Sequence, residues 1–213
     1  MQQLSHFELV GEFHDVFGHP QRKELYYNVY NENPELVSFR IDLIEEEYKE
    51  LLEATNNKDT IEIADALCDM LYVINGAGQC LGIKMENVSS NNIVEGYLIR
   101  MKMLIISLRN STTICVLDDM LKELSQLVYN TGYTLGFNMD VLFREVHRSN
   151  MTKVCDNIDD VILSVEQYKK EGRYKKPSFR QKGKYYVIYD EETTKILKNH
   201  KWTKPNLSNL INQ

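Results

Sequence analysis

Proline and glycine are scarce, at 4 and 10 among 213 residues. A turn-rich β sandwich or barrel uses both freely, so long helices are the expectation. Cysteine is scarce too. Cys68, Cys80, Cys115 and Cys155 form no CxxC pair and fall mostly in apolar helical patterns, which argues against zinc or disulfide frameworks and reads as core thiols in a reducing compartment. No uncharged apolar run reaches the roughly 20 residues of a membrane span. The N-terminal MQQLSHFELV has neither a basic n-region nor an apolar h-region. A net charge of −6 speaks against general nucleic-acid binding. Walker loops, Rossmann glycine turns, nucleophile elbows and Cys/His zinc spacings are all missing. The expectation is a cytoplasmic chain with no membrane and no nucleic-acid partner. Its chemistry is expected to come from carboxylates.

The carboxylates are unusually placed. Glu62, Asp65 and Asp69 interrupt a segment, Ile61 to Leu81, that is otherwise almost entirely apolar or small. Spacings of i, i+3 and i+7 put them on one stripe of a helix whose other faces must be buried. An unpaired buried carboxylate costs roughly several kcal/mol, so the stripe needs cations, a partner or protonation. The preceding LIEEEYKELLEA carries Glu46, Glu47 and Glu50. Alone it reads as a solvated helix face. Facing the second segment, Glu47, Glu50, Glu62 and Asp65 offer four hard oxygen donors, a set suited to Mg²⁺ or Mn²⁺. An ion network with Arg40 or Arg148 is the structural alternative. Further along, HRSNMTK places Arg148, Asn150 and Lys153 where an amide and a cation can face one ligand. His14 and His19 could border a substrate base, but read more readily as packing or turn residues beside Phe13 and Phe17. His147 reads as a satisfied histidine.

Periodicity predicts a helix over 3–17 ended by Gly18, and one from Pro34 to about Ala54 capped by Asn33. In that second helix Leu36, Phe39, Leu43, Ile44, Leu51 and Leu52 are the candidate core. A third helix runs from the Asp59 or Thr60 cap to Gly82. The polar ENVSSNN follows, then helices near 93–109, 114–135 and 138–150. IDDVILSVEQYKKEG reads as one more helix. KYYVIYDEETTKIL reads as two short strands joined by its polar turn.

Taken together, Glu47-x-x-Glu50, eleven residues, and Glu62-x-x-Asp65 resemble the signature of the all-α nucleoside triphosphate pyrophosphohydrolases. FHDVFGHP, EIADALCDMLYVINGAG, VHRSNMTK and KILKNHKWTKPNL are similar to the MazG-like and phosphoribosyl-ATP pyrophosphohydrolase-like branch. The resemblance implies an all-α, four-helix-bundle-like core at 1–155; a helical insertion at about 84–130, before VHRSN resumes, departs from the family pattern, and a C-terminal helix and hairpin follow at 156–213. It implies a homo-oligomer, a dimer or dimer of dimers. It further implies Mg²⁺, with Mn²⁺ as substitute, held by Glu47, Glu50, Glu62 and Asp65. Glu46 is then the base for the attacking water, and Arg148, Asn150, Lys153 and Asp69 contact substrate. The implied reaction takes a nucleoside triphosphate, such as dUTP or another deoxynucleotide, to the monophosphate and pyrophosphate. A phosphoribosyl-ATP pyrophosphohydrolase, or a non-catalytic nucleotide- or metal-binding helical module, are the alternatives.

Overall fold

The computed structural model describes residues 3–86, 92–193 and 195–211. Among them are eight helices and one two-stranded hairpin. Helix α1 spans His6–Phe17, α2 Val29–Glu32, α3 Pro34–Asn57 and α4 Thr60–Leu81. They are followed by α5 Tyr97–Arg109, α6 Ile114–Thr134, α7 Met139–Met151 and α8 Ile158–Glu171. The hairpin pairs β1 (Pro177–Lys182) with β2 (Tyr185–Asp190), antiparallel, with Phe179 opposite Ile188.

Local chemistry sets the helix ends. Ser5 and Glu8 form a capping box at α1, each side chain accepting from the other's backbone N–H. Asn33 accepts from Leu36 N at the start of α3, with Pro34 at its first position. Asp59 Oδ1 accepts from both Ile61 N and Glu62 N at 3.1 Å and opens α4. Gly82 closes it at φ 72°, where any Cβ would collide with the Glu24 carbonyl.

Helix α4 is the centre of the fold. From Met70 to Leu81 every residue but Val73 is buried, because α1, α3, α6 and α7 all pack against it. Helices α5 and α6 form a hairpin that leans on α3 and α4. This hairpin occupies the region expected as a helical insertion. The expected polar stretch at 86–92 falls largely on residues 87–91, outside the described residues.

Two expectations need correction. Phe39 and Leu52 are exposed; the buried face of α3 runs instead through Val37, Arg40, Ile41, Ile44, Leu51 and Ala54, a cleaner i, i+3/i+4 stripe. Segment 184–197 does turn back, with Leu197 N donating to Ile188 O at 2.9 Å and Asp190 N to Lys195 O at 3.0 Å, but not as two full strands. Only Tyr185–Asp190 is a strand, and its partner lies upstream across the Gly183–Lys184 turn. Ile196 adds an isolated bridge to Tyr189. A period of two marks a strand without naming its neighbour.

The tail has a small core of its own, Cys155, Val161, Val165, Ile188 and Leu197, and then returns to the main core through Leu207. Between these, 195–205 is fastened to the end of α7. Ser149 Oγ donates to Thr203 O at 2.8 Å, and Asn199 Nδ2 donates to Thr152 O at 2.8 Å. This fastening decides what lies over the acids.

Candidate active site

The α3–α4 turn is tight, with Lys58 in the left-handed conformation and Asp59 capping, so the two helices run back antiparallel. Their acids therefore face each other. A cavity of about 390 Å³ is lined by Glu50, Glu62, Asp65 and Asp69, by Asn150 and Lys153 from α7 and its following turn, and by Lys198, Trp202 and Lys204 of the tail. A second cavity of about 230 Å³ holds Glu47 and is lined mainly by aromatic and basic side chains. Asp69, Asn150 and Lys153 line both, so the two cavities adjoin there.

The electrostatics follow from burial. Glu47 is pushed up to about 9 by desolvation and then by Asp69. Asp69 is pushed up to about 7 by burial and then by Asp65, with Lys153 pulling the other way. Burial also raises Glu50 and Asp65. Glu47 Oε2 is buried with no hydrogen-bond partner. Lys153 is lowered by burial against the pull of Asp69. Cations from the tail reach the rim: Lys204 Nζ sits 3.1 Å from Glu62 Oε1, and Lys195 Nζ 3.4 Å from Glu46 Oε1. Among the described residues no three His, Cys, Asp or Glu side chains form a ready-made metal cage.

The expected residues are mostly brought together. Glu50, Glu62, Asp65, Asp69, Asn150 and Lys153 share one cavity, and Glu47 lies just behind Asp69. Glu46 stands outside both cavities, exposed and held by Lys195. Arg148 is not brought in: both its terminal contacts, Glu145 at 2.7 Å and Thr203 at 3.0 Å, lie away from the acids. Neither Arg40 nor Arg148 ion-pairs with the acid stripe. Arg40 instead reaches Cys80 Sγ at 2.7 Å. His147 is satisfied, with Tyr72 Oη at 3.1 Å. Cys68, Cys80 and Cys155 are buried as expected, but Cys115 is exposed, because it falls on the outer side of α6.

Sequence reasoning missed Lys195, Lys198, Trp202 and Lys204. The signal was present as a lysine at 195, 198, 201 and 204 around the chain's single tryptophan. Nothing local ties it to acids more than a hundred residues away.

Residues 10–92 match the family model described as phosphoribosyl-ATP pyrophosphohydrolase. The match runs from Val10 in α1 through α4 and on to residue 92, and so contains all the acids. The chain belongs to the MazG-like all-α nucleoside triphosphate pyrophosphohydrolases. At that general level it is a pyrophosphohydrolase. It is also 32% identical over 243 aligned positions to a protein of Acanthamoeba polyphaga mimivirus named Uncharacterized protein L479, covering 99% of this chain and 97% of that one. No solved structure matches it significantly. No helix among the described residues is long and apolar enough to cross a membrane.

Proposed function

We propose that this pyrophosphohydrolase is Mg²⁺-dependent and acts on a deoxynucleoside or non-standard nucleoside triphosphate, dUTP among them, as a cytoplasmic house-cleaning enzyme. The observation that carries the metal reading is the buried, unpartnered Glu47 Oε2 among carboxylates that burial has driven up. Such a set is costly without a cation, and its donors are all hard oxygens. Glu47, Glu50, Glu62 and Asp65 would hold the ion, with Asp69 behind them. When bound, Mg²⁺ would neutralise triphosphate charge and make a bound water more acidic.

The protein's own side chains supply the rest. Glu46, one residue from Glu47 but about 100° around the helix, accepts the proton of the attacking water, a role worth typically about 10²- to 10⁴-fold. Its carboxylate stands at the rim, 3.4 Å from Lys195 Nζ, and turns inward from that pair to reach the water. Lys153 and Lys198, both lining the acid site, offset charge on the departing pyrophosphate. Asn150 is buried and lines both cavities, where its amide can both donate to and accept from the substrate.

A dimer belongs to the same proposal, and light scattering reads it directly. Phosphoribosyl-ATP is the second substrate reading, favoured by the family match over 10–92. Pyrophosphate release over a panel of NTPs, dNTPs and phosphoribosyl-ATP with Mg²⁺ tests both. Release from none of them would overturn the function.

A further inference from the structure

The smaller cavity holds a buried cation that makes no ion pair among the described residues. Arg40 is only 7% exposed, yet among the described residues no carboxylate pairs with it. Its Nη2 donates to Cys80 Sγ at 2.7 Å, and its Nε has no hydrogen-bond partner. Cys80 does not compensate the charge. Burial raises its thiol, against the opposing pull of Arg40, and its S–H donates to Pro20 O at 3.3 Å. A buried guanidinium left in this condition costs roughly several kcal/mol. The same side chain lines a cavity of about 230 Å³, below the roughly 300–1,000 Å³ of a drug-sized site and suited to one ring system.

The walls are flat. Phe13 stacks on His19 with centroids 5.7 Å apart and meets Tyr72 edge-on at 5.4 Å. Phe39, partly exposed, lines the same cavity, with Arg40 5.6 Å from its ring. His14 Nδ1 lies 2.9 Å from Pro20 O; a carbonyl only accepts, so the neutral ring presents a bare Nε2. Burial keeps His14 and His19 neutral, lowering them to about 4 and about 3. Between His14 and Arg40 stands Gly76. A Cβ there would lie 3.2 Å from His14 Nε2 and 3.3 Å from Arg40 Nη1, so the absent side chain keeps the space open.

We propose that this cavity receives the nucleobase and that Arg40 is its specificity-determining residue, donating to an exocyclic carbonyl oxygen and so selecting oxo bases over amino bases. The proposal rests on reading the adjoining acid cavity as the triphosphate site. The two cavities share Asp69, Asn150 and Lys153, which puts ring and phosphates of one nucleotide on either side of that trio. A guanidinium carries donors only. A carbonyl edge satisfies them, whereas an amino group sets N–H against N–H.

Two matched nucleotide pairs isolate that one exocyclic group: UTP against CTP, and ITP against ATP. With Mg²⁺, kcat/KM should favour the oxo member of each pair on the order of ten- to a hundredfold. Arg40→Gln should bring the ratios toward one. Arg40→Lys, which keeps charge but loses the planar fork, should retain only part of the preference. Gly76→Ala keeps helix propensity and both neighbours; it should raise KM for UTP several-fold even if Arg40 variants fold poorly. A preference in one pair alone still supports the assignment if Arg40→Gln removes it. Equal rates within both pairs, a preference that survives Arg40→Gln, or an unchanged KM in Gly76→Ala would overturn it. If no nucleotide releases pyrophosphate, the hydrolytic reading fails, and equilibrium binding of the same four nucleotides still decides the role of Arg40.

Discussion

Lys204 Nζ lies 3.1 Å from Glu62 Oε1, joining residues 142 positions apart. Both side chains are about half exposed, so the pair contributes about 0–1 kcal/mol to stability. Its consequence is positional: a tail cation stands at the rim of the acid cavity, where a triphosphate would enter. Lys204→Ala should therefore leave the urea midpoint nearly unchanged while raising KM for the nucleotide several-fold. A loss of stability with KM intact would mean that the tail is only a clamp.

Glu47 and Asp65 carry the metal reading. Glu47→Ala and Asp65→Ala should each abolish Mg²⁺-dependent turnover while the helical circular dichroism stays intact. Glu47→Gln is the finer probe, because it keeps the shape of a side chain whose Oε2 has no hydrogen-bond partner. It should lose the rise in Tm that Mg²⁺ gives the unaltered chain, by linkage. A thermal scan with and without Mg²⁺ reads the difference, and an equal rise in both chains would remove Glu47 from the ligand set.

Much of this site was legible in the sequence because its signals are local. Asp59 and Gly82 mark the ends of α4 by cap chemistry that needs only neighbouring residues. Asp65 and Asp69 stand out because a helix apolar on every other side has no cheap place for them. What escaped depends on distance along the chain. Nothing near Lys195 or Lys204 names Glu46 or Glu62 as a partner. Arg40 reads as a counter-ion for the acids, yet it lies on the buried stripe of α3 about two turns before Glu47 and reaches toward Cys80 of α4. Phe39 and Leu52 read as core by residue type alone, while the direction each faces is set by the helices that pack on α3.

His6 should make the fold acid-sensitive. Its ring is buried, with Tyr129 Oη 2.6 Å from Nδ1 and Asp140 Oδ1 2.9 Å from Nε2. Burial outweighs the attraction of Asp140 and lowers it from 6.5 to about 4. The unfolded chain then binds the proton more readily than the folded one, so stability present above about pH 6.5 falls as pH drops toward 4, by up to about 3 kcal/mol. Glu47 and Asp69 act in the opposite sense, because protonation relieves them. The histidine's share is therefore read from the difference between the chain and His6→Gln in urea unfolding at pH 7.5, 6 and 5. The variant should lose less stability across that range; parallel curves would show that His6 does not titrate on unfolding.

Gly82 should be intolerant of any side chain. It sits at φ 72°, where an L residue is strained by about 1–2 kcal/mol. Its Cα also faces the Glu24 carbonyl so closely that a Cβ collides with backbone rather than with a side chain that could swing aside. The neighbouring Tyr26 N donates to Leu81 O at 2.9 Å, and Arg22 N donates to Gln79 O at 2.8 Å. Moving the 22–26 segment would thus break the bonds that satisfy the last carbonyls of α4. Gly82→Ala should cost more than the conformational strain alone, on the order of 3 kcal/mol. Gly172 provides the control. It has the same left-handed φ, at 67°, but nothing near its missing Cβ, so Gly172→Ala should cost only the strain. Equal losses from the two variants in chemical denaturation would show that the Glu24 contact contributes nothing.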